Sequence, residues 1–477
     1  MNTMRALPAF LARLIVTHPL PLILALAAFV RVVPLLLFPL FRFEVTGAVH
    51  GSDAFDRYAT NLLATGIYGL TPGVPDAQLP PLYSYTLAAL YAVFGRGGIQ
   101  VGLFHIALDL ISIVLLDQIA RALFVRQTLY WRGVAALGAL FYAVYPYLIF
   151  QNLTLIDTPL FMTMMHAFLL AVVRLRGRVR FDGGTLAWGL LAGVALGLAS
   201  LVRPILPPLA LLLPIWFLCT LSFWQTFVRL LPVALVSAVL VIPWTIRNTA
   251  VYGEFVPMSL TFGSNFYQGS NPDVIPFLRA GYDTQWTGPE SQLHDPYTPA
   301  GDRERLALAL DYLKANPQDI PELLLVKFMT HWSIEIFPRV NPLPGERPRL
   351  DYQGDALREV TPEGELELGG LPPGDPVGAY SEPLFDVIGR VIHRYYFGGL
   401  FVLALAGMIL SWRGWRDVSL LWLVQFSMTF VYVLFHPSTR YRVPTDPLLF
   451  LFSAYALVCL WVWVREQTGT LTRVPIR

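Results

Sequence analysis

Charge is what this sequence has least of. Asp, Glu, Lys and Arg together make up 14% of its 477 residues, about half the share found in a soluble domain. Hydrophobic residues make up 55% and the mean hydropathy is +0.55. A water-soluble single core of this size is excluded, and so is a disordered chain. An excess of one sign is missing too: 34 basic against 32 acidic residues leave a net charge of +2. Nucleic-acid binding would need a concentrated basic face, of which there is no sign. Cysteine is reduced to Cys219 and Cys459, both within apolar runs, which argues against a disulfide framework or a cysteine metal cage. Lysine occurs only at Lys314 and Lys327; the dominance of arginine reads as genomic composition.

What the sequence does have is long apolar runs. A hydrocarbon core of roughly 30 Å takes about 20 apolar residues per helix. Candidate spans lie near 17–40, 100–120, 133–151, 158–173, 185–201, 205–222, 229–245, 391–411, 418–435 and 447–464. The expected fold class is therefore an all-α polytopic membrane protein with about ten transmembrane helices. The first run is too long for a cleaved signal peptide and lacks a small-x-small site. Arg203–Pro204 breaks the run 185–222 into two spans that meet at one surface.

Orientation follows from the arginines. With the N-terminus in the cytoplasm, segments 1–14, 117–132, 174–184, 223–229, 412–417 and 465–477 hold 15 basic and 4 acidic residues. Arg174, Arg176, Arg178 and Arg180 are the clearest anchor. Segment 246–390 falls outside, with 11 basic and 21 acidic residues. The chain thus divides into a transmembrane module (1–245) carrying a first outer loop (41–99), an extracytoplasmic segment (246–390) and C-terminal helices (391–477). Both termini face the cytoplasm, and the expected location is the cytoplasmic membrane. Within the first outer loop, Leu82 to Phe94 follows Pro80–Pro81 and is too short to cross, so it reads as an interface helix. In the outer segment, 303–315 and 321–337 read as helices, the second resting on the membrane face, and 341–380 reads as a loop.

Ionisable groups at a membrane need a reason, and four places on the outer face supply candidates. The first, GSDAFDRYATNLLATGIYG, carries Asp53, Asp56 and Arg57; on a helix, Asp53 shares a face with Asp56 or Arg57. A carboxylate here suits a general base or a divalent cation, and a capped helix start explains the same residues. The second is Asp157 in QNLTLIDTP, for which spacing alone favours an N-cap before Thr158–Pro159. The third is Arg203 before Pro204, a snorkelling arginine or a phosphate ligand. The fourth is HPSTRYRVPTDP, where Arg440 and Arg442 oppose the positive-inside preference; a phosphate ligand explains them, as does a salt bridge to Asp446. Carboxylates and arginines gathered at one leaflet from distant segments suit a lipid-linked phosphate and a deprotonated hydroxyl. His105 and Asp109, four residues apart in the second span, read as a structural couple.

The order of these motifs resembles a known family. After the acidic motif come PPLYSYTLAALYAVFG, LTLIDTPLFMTMMHAFLL, GLASLVRPILPPLALLL, IPWTIRNTAVYGEFVPMSLTFGSNFYQGSNP and STRYRVPTDPLLFL. Over residues 15–275 and 436–460 this resembles the bacterial membrane glycosyltransferases of the GT-C fold, the family that includes protein O-mannosyltransferase-like and aminoarabinose-transferase-like enzymes. The resemblance implies a sugar transferase with an extracytoplasmic active site and a polyprenyl-phosphate sugar as donor. Its partners would be that donor, membrane lipids, and a glycan, lipid or protein acceptor. It implies a catalytic carboxylate in the first outer loop, best matched by Asp53. Because Ala54 stands where an Asp–Glu pair is commoner, Asp56 stays open as the base. Asp157 matches the acidic position before the fourth span, and Arg203, Arg247, Arg440 and Arg442 fall in family motifs that face the donor phosphate, with Arg57 beside the acidic pair. The resemblance fixes no cofactor; a divalent metal ion held by Asp53 and Asp157, with Asp56 nearby, is an open alternative. So are a transporter or flippase of lipid-linked sugars and a lipid-linked oligosaccharide ligase.

Overall fold

The computed structural model describes residues 19–38, 51–289, 293–339, 346–350, 356–360 and 383–468. The first helix, α1, is Pro19–Leu37. The outer loop that follows holds α2 (Asp53–Thr65) and α3 (Leu82–Phe94). The bundle continues through α4 (Gly98–Phe124), α5 (Trp131–Ala143), α6 (Pro146–Gln151), α7 (Thr158–Arg176), α8 (Gly183–Val202), α9 (Pro207–Leu218) and α10 (Phe223–Tyr252). The outer segment folds as α11 (Phe262–Gln268), α12 (Val274–Ala280), α13 (Pro299–Ala315) and α14 (Ile320–His331). Last come α15 (Pro383–Leu410), α16 (Trp415–Leu434), the single turn α17 (Thr439–Arg442) and α18 (Asp446–Gln467).

Among the described residues, seven helical stretches are long and apolar enough to cross a membrane, one of them a 48-residue run that includes both α15 and α16. The protein is a multi-pass membrane protein of all-α class, and length and composition alone do not reach the expected ten spans. The candidate at 133–151 is split into α5 and α6 ahead of Pro146, and the candidate at 205–222 holds only the 12 helical residues of α9. Segment 203–222 nevertheless joins the two ends of the bundle. Arg203 bonds Asp157 at one end, and Thr220 accepts from Arg176 at 3.0 Å at the other. The arginine-bearing turns meet at that second end: Arg229 donates to the Arg178 carbonyl at 3.0 Å, and Gln127 to that of Gly414 at 3.1 Å. Helices α2 and α3, the described part of the segment after α10 and the 435–446 turn meet at the opposite end.

Small residues set the tightest packing. Gly189, Gly193 and Gly197 repeat every four residues along the face of α8 that meets α10, and a Cβ on Gly193 would fall 2.9 Å from the Val233 carbonyl oxygen. Within lipid, close backbone approach of this kind drives helix association in place of the hydrophobic effect. In the middle of the bundle Arg31 and Asp109, both buried, pair at 2.9 Å, and Tyr142 donates to the same carboxylate at 2.9 Å. The expected His105–Asp109 couple is therefore corrected. Both residues lie on one face, but each turns to a neighbouring segment, His105 bonding the Tyr83 hydroxyl at 2.9 Å.

The short helix expected at Leu82–Phe94 is observed as α3, ended by Gly95 at φ +80°. Helix α14 stops at His331 instead of reaching 337. Beyond it the backbone turns to bond the 438–439 turn, with Phe337 N–H donating to Thr439 Oγ1 at 2.7 Å and its carbonyl accepting from Ser438 Oγ at 3.0 Å. Part of the expected 341–380 loop is a short antiparallel pair, β1 (Glu346–Leu350) and β2 (Ala356–Val360). The rest of that loop lies outside the described residues.

Candidate active site

The site begins with one backbone pairing. Gly51 forms an isolated parallel bridge with Leu155, and Ser52 N–H donates to the Leu155 carbonyl at 3.0 Å. Gly51 has φ +107°, and a Cβ there would lie 2.3 Å from the Leu155 oxygen. Only glycine allows both the conformation and the approach. Two residues beyond the bridge on each strand stand Asp53, first residue of α2, and Asp157, which precedes α7. The pairing thus brings two carboxylates from distant segments to one level.

Their surroundings differ. Asp53 is exposed and, among the described residues, has neither a hydrogen bond nor an ion pair. Asp56, one turn later, is buried and fully engaged. Arg96 reaches its two oxygens from Nε at 2.9 Å and Nη2 at 2.7 Å, and Tyr91 of α3 donates at 2.8 Å. Sequence spacing left these two open; the structure gives Asp56 the task of fixing α2 to α3 and leaves Asp53 free. Asp157 takes a forked pair of bonds from Arg203, from Nε at 2.7 Å and from Nη2, which also donates to Thr158 Oγ1 at 2.7 Å. Arg203 is placed for this because Pro204 pushes it out of the helix, to φ −144° and ψ 120°, at the end of α8. Its Nη1 is buried without a partner.

Arg440 and Tyr432 lie close enough to Arg203 to act on it electrostatically. Arg440 Nη2 donates to the Tyr441 hydroxyl, its guanidinium lies 4.6 Å from the Tyr441 ring centre, and Tyr441 stacks on Tyr432 at 4.8 Å. Arg440 Nε is buried with no hydrogen-bond partner. Asp283, from the outer segment, is buried within electrostatic reach of Arg440, and burial raises its pKa.

The other predicted residues hold the scaffold. Arg247 donates to the Tyr68 carbonyl at 2.8 Å and to that of Asp76, and lies 4.8 Å from the Trp244 ring centre, so it pins the loop after α2. Arg57 is exposed and, among the described residues, reaches the Leu70 carbonyl alone, at 3.5 Å. Arg442 is fully buried, paired with Asp446 at 3.2 Å and covered by the Phe397 ring at 3.7 Å. Asp446 in turn accepts from Tyr145 at 2.7 Å. The Gly51–Leu155 bridge, the Asp157–Arg203 fork and the electrostatic reach of Arg440 thus link the segments that carry Asp53, Asp157, Arg203 and Arg440, while Asp56, Arg247 and Arg442 bond within the scaffold. Sequence reasoning missed Arg96, Tyr83, Asp283 and Arg31. Of these only Arg31, a charge inside the first span, carried a signal that could be read in advance.

A divalent ion shared by Asp53, Asp56 and Asp157 does not fit these bonds. Asp56 and Asp157 each have both oxygens engaged by an arginine. Among the described residues no three His, Cys, Asp or Glu side chains are grouped to hold a metal.

Residues 78–246 match the family described as dolichyl-phosphate-mannose-protein mannosyltransferase. No curated protein matches the chain. Among solved structures, the oligosaccharyltransferase of Archaeoglobus fulgidus in its apo form is 14% identical over 97% of this chain and 53% of its own, with a TM-score of 0.50. The same enzyme tethered to an acceptor peptide with the NVT sequon is 13% identical over 98% and 53%, again at 0.50. The chain spans about half the length of that oligosaccharyltransferase. ArnT from Cupriavidus metallidurans bound to undecaprenyl phosphate is a looser match, 15% identical over 94% of this chain and 80% of its own, with a TM-score of 0.42. The fold is GT-C, and the family match falls on the segment from the end of the first outer loop to α10.

Proposed function

We propose that this protein is a membrane glycosyltransferase that moves a sugar from a polyprenyl-phosphate donor to an acceptor hydroxyl at the outer face of the cytoplasmic membrane. The observation that carries the reading is the pairing of opposites at one end of the bundle. A carboxylate without a partner, Asp53, stands beside a region where two neighbouring guanidiniums, Arg203 and Arg440, each keep a buried N–H unbonded. An unsatisfied buried donor costs about 1–3 kcal/mol, more when charged, and a phosphate satisfies both. The family match over 78–246 supports a polyprenyl-phosphate sugar as donor.

In this mechanism the acceptor oxygen attacks the anomeric carbon as the bond from that carbon to the phosphate oxygen breaks. The hydroxyl proton passes to Asp53 late in an oxocarbenium-like transition state. Polyprenyl phosphate leaves with the bonding electron pair, its growing charge held by Arg203 and Arg440. A single displacement inverts the anomeric centre. Asp157 keeps the Arg203 fork aimed, and Asp56 fixes the helix that carries the base. Purified protein and a synthetic polyprenyl-phosphate sugar test the reading. Asp53→Asn should lower transfer by about 10²–10⁴-fold with folding intact. Full transfer by Asp53→Asn alongside a dead Asp56→Asn would move the base to Asp56. Absence of any transfer product, with lipid-linked sugar moved across vesicles instead, would make the protein a flippase.

A further inference from the structure

Lys327 is one of two lysines in the chain and lies on α14, in the outer segment. It is 1% exposed, and among the described residues no carboxylate pairs with it. Its ammonium donates instead to three backbone carbonyls, those of Gly269 at 2.9 Å, Leu434 at 3.0 Å and Phe435 at 3.2 Å. Burial pushes its pKa down to about 7, and the three carbonyls are the acceptors its Nζ meets.

The carbonyls come from two separate pieces of the chain. Gly269 closes α11, while Leu434 and Phe435 close α16, whose last carbonyls have no partner within the helix. A cation at a helix C-terminus satisfies those groups and complements the helix dipole. The two pieces touch here as backbone: a Cβ on Gly269 would fall 1.6 Å from the Phe435 oxygen. Phe262 and Phe266 pack edge-on against Phe435 at 5.3 and 5.8 Å. Five residues after Phe435 comes Arg440. Between them His436 bonds the same Tyr441 hydroxyl that Arg440 does, at 3.1 Å.

We infer that Lys327 is a positioning residue for the donor: its ammonium ties the outer segment to the end of α16 and so sets how the chain enters the 436–442 turn that aims Arg440. The inference rests on the reading of Arg440 as a phosphate ligand. It gives helix α14 a role in donor binding that no predicted residue of that helix carried. A tetrahedral ammonium suits three converging carbonyls, whereas the planar fork of arginine does not.

The test uses the full-length protein and Lys327→Met, which keeps the stem and removes the charge, with Lys327→Arg as the variant that keeps the charge. Amide exchange over 433–440 should quicken in Lys327→Met, and less in Lys327→Arg. The Kd for undecaprenyl phosphate should rise about 10-fold with kcat within about 3-fold, a loss of binding and not of chemistry. Combined with Arg440→Ala, Lys327→Met should add less than about 2-fold, because both changes remove one function. Unchanged exchange over 433–440, or losses that multiply in the double variant, overturns the inference. If Arg440→Ala itself leaves the Kd unchanged while Lys327→Met quickens exchange, the tie stands and the phosphate reading fails.

Discussion

In the middle of the bundle Arg31 has a partner for every nitrogen. Nε bonds Asp109, Nη1 reaches the carbonyls of Ala27 and Ala143, and Nη2 that of Tyr142, while Tyr142 closes the other side of the carboxylate. At the end of the bundle that holds the Gly51–Leu155 bridge, Arg203 makes a fork with Asp157 but keeps Nη1 over, within electrostatic reach of Arg440 with its own spare Nε. Arg442 also leaves an N–H without a hydrogen bond, yet the Phe397 ring at 3.7 Å covers it, whereas the ring facing Arg203, Phe161, is 5.6 Å away. The comparison teaches that an aspartate–arginine pair is not in itself a site. A closed set of bonds holds helices together, and an open set beside a free carboxylate invites a ligand.

The comparison breaks if the closed pair proves dispensable. Arg31→Ala strands a buried carboxylate and should cost about 3–5 kcal/mol, seen as loss of folded protein in detergent, while Arg31→Met with Asp109→Leu should recover most of it. Next in size, Asp56→Asn loosens the Arg96 and Tyr91 anchor and should cost about 1–3 kcal/mol by thermal unfolding, while transfer per folded molecule changes by only a few-fold. At the open pair, Arg203→Lys keeps charge but not the fork; donor affinity should fall about 10-fold, or roughly 1.4 kcal/mol, measured on protein shown to be folded by thermal unfolding. The smallest effect has the opposite sign. Burial raises the Asp283 pKa, so the folded state holds a proton the unfolded chain has released, and stability falls as pH rises through the window above the ordinary value of 3.8. Asp283→Asn keeps the cap to Gln285 N–H and should stabilise the fold at neutral pH by about 1 kcal/mol, a rise in Tm of about 1 °C, with that pH dependence flattened.

Much of this architecture was legible because the signals were local. Apolar length marked the spans, Pro80–Pro81 and Gly95 bounded α3, and Pro204 ended α8 at Arg203. The gathering of Asp53, Asp157, Arg203 and Arg440 was legible only as residues sharing one face of the membrane. What the sequence could not separate was Asp53 from Asp56, because their difference lies in Arg96 and Tyr91, which reach Asp56 from 40 and 35 residues away. The same holds for Arg247, whose partners are backbone carbonyls, which every residue carries and no pattern of side chains announces. Arg442 was half legible: its pair with Asp446, four residues on, stood open in the sequence as the alternative to a phosphate, while its bonds to the His331 and Ser333 carbonyls left no trace there. The breaks within 133–151 and 205–222 were hidden for another reason. Hydropathy measures apolar length and is blind to where prolines divide the helix.

Donor binding and sugar transfer measured side by side on Asp53→Asn and Arg203→Ala test the central claim most directly. The account predicts that Asp53→Asn binds the polyprenyl-phosphate sugar like the parent protein yet fails to transfer it, and that Arg203→Ala loses the binding first. Equal donor affinity in Arg203→Ala, or undiminished transfer by Asp53→Asn, would contradict it.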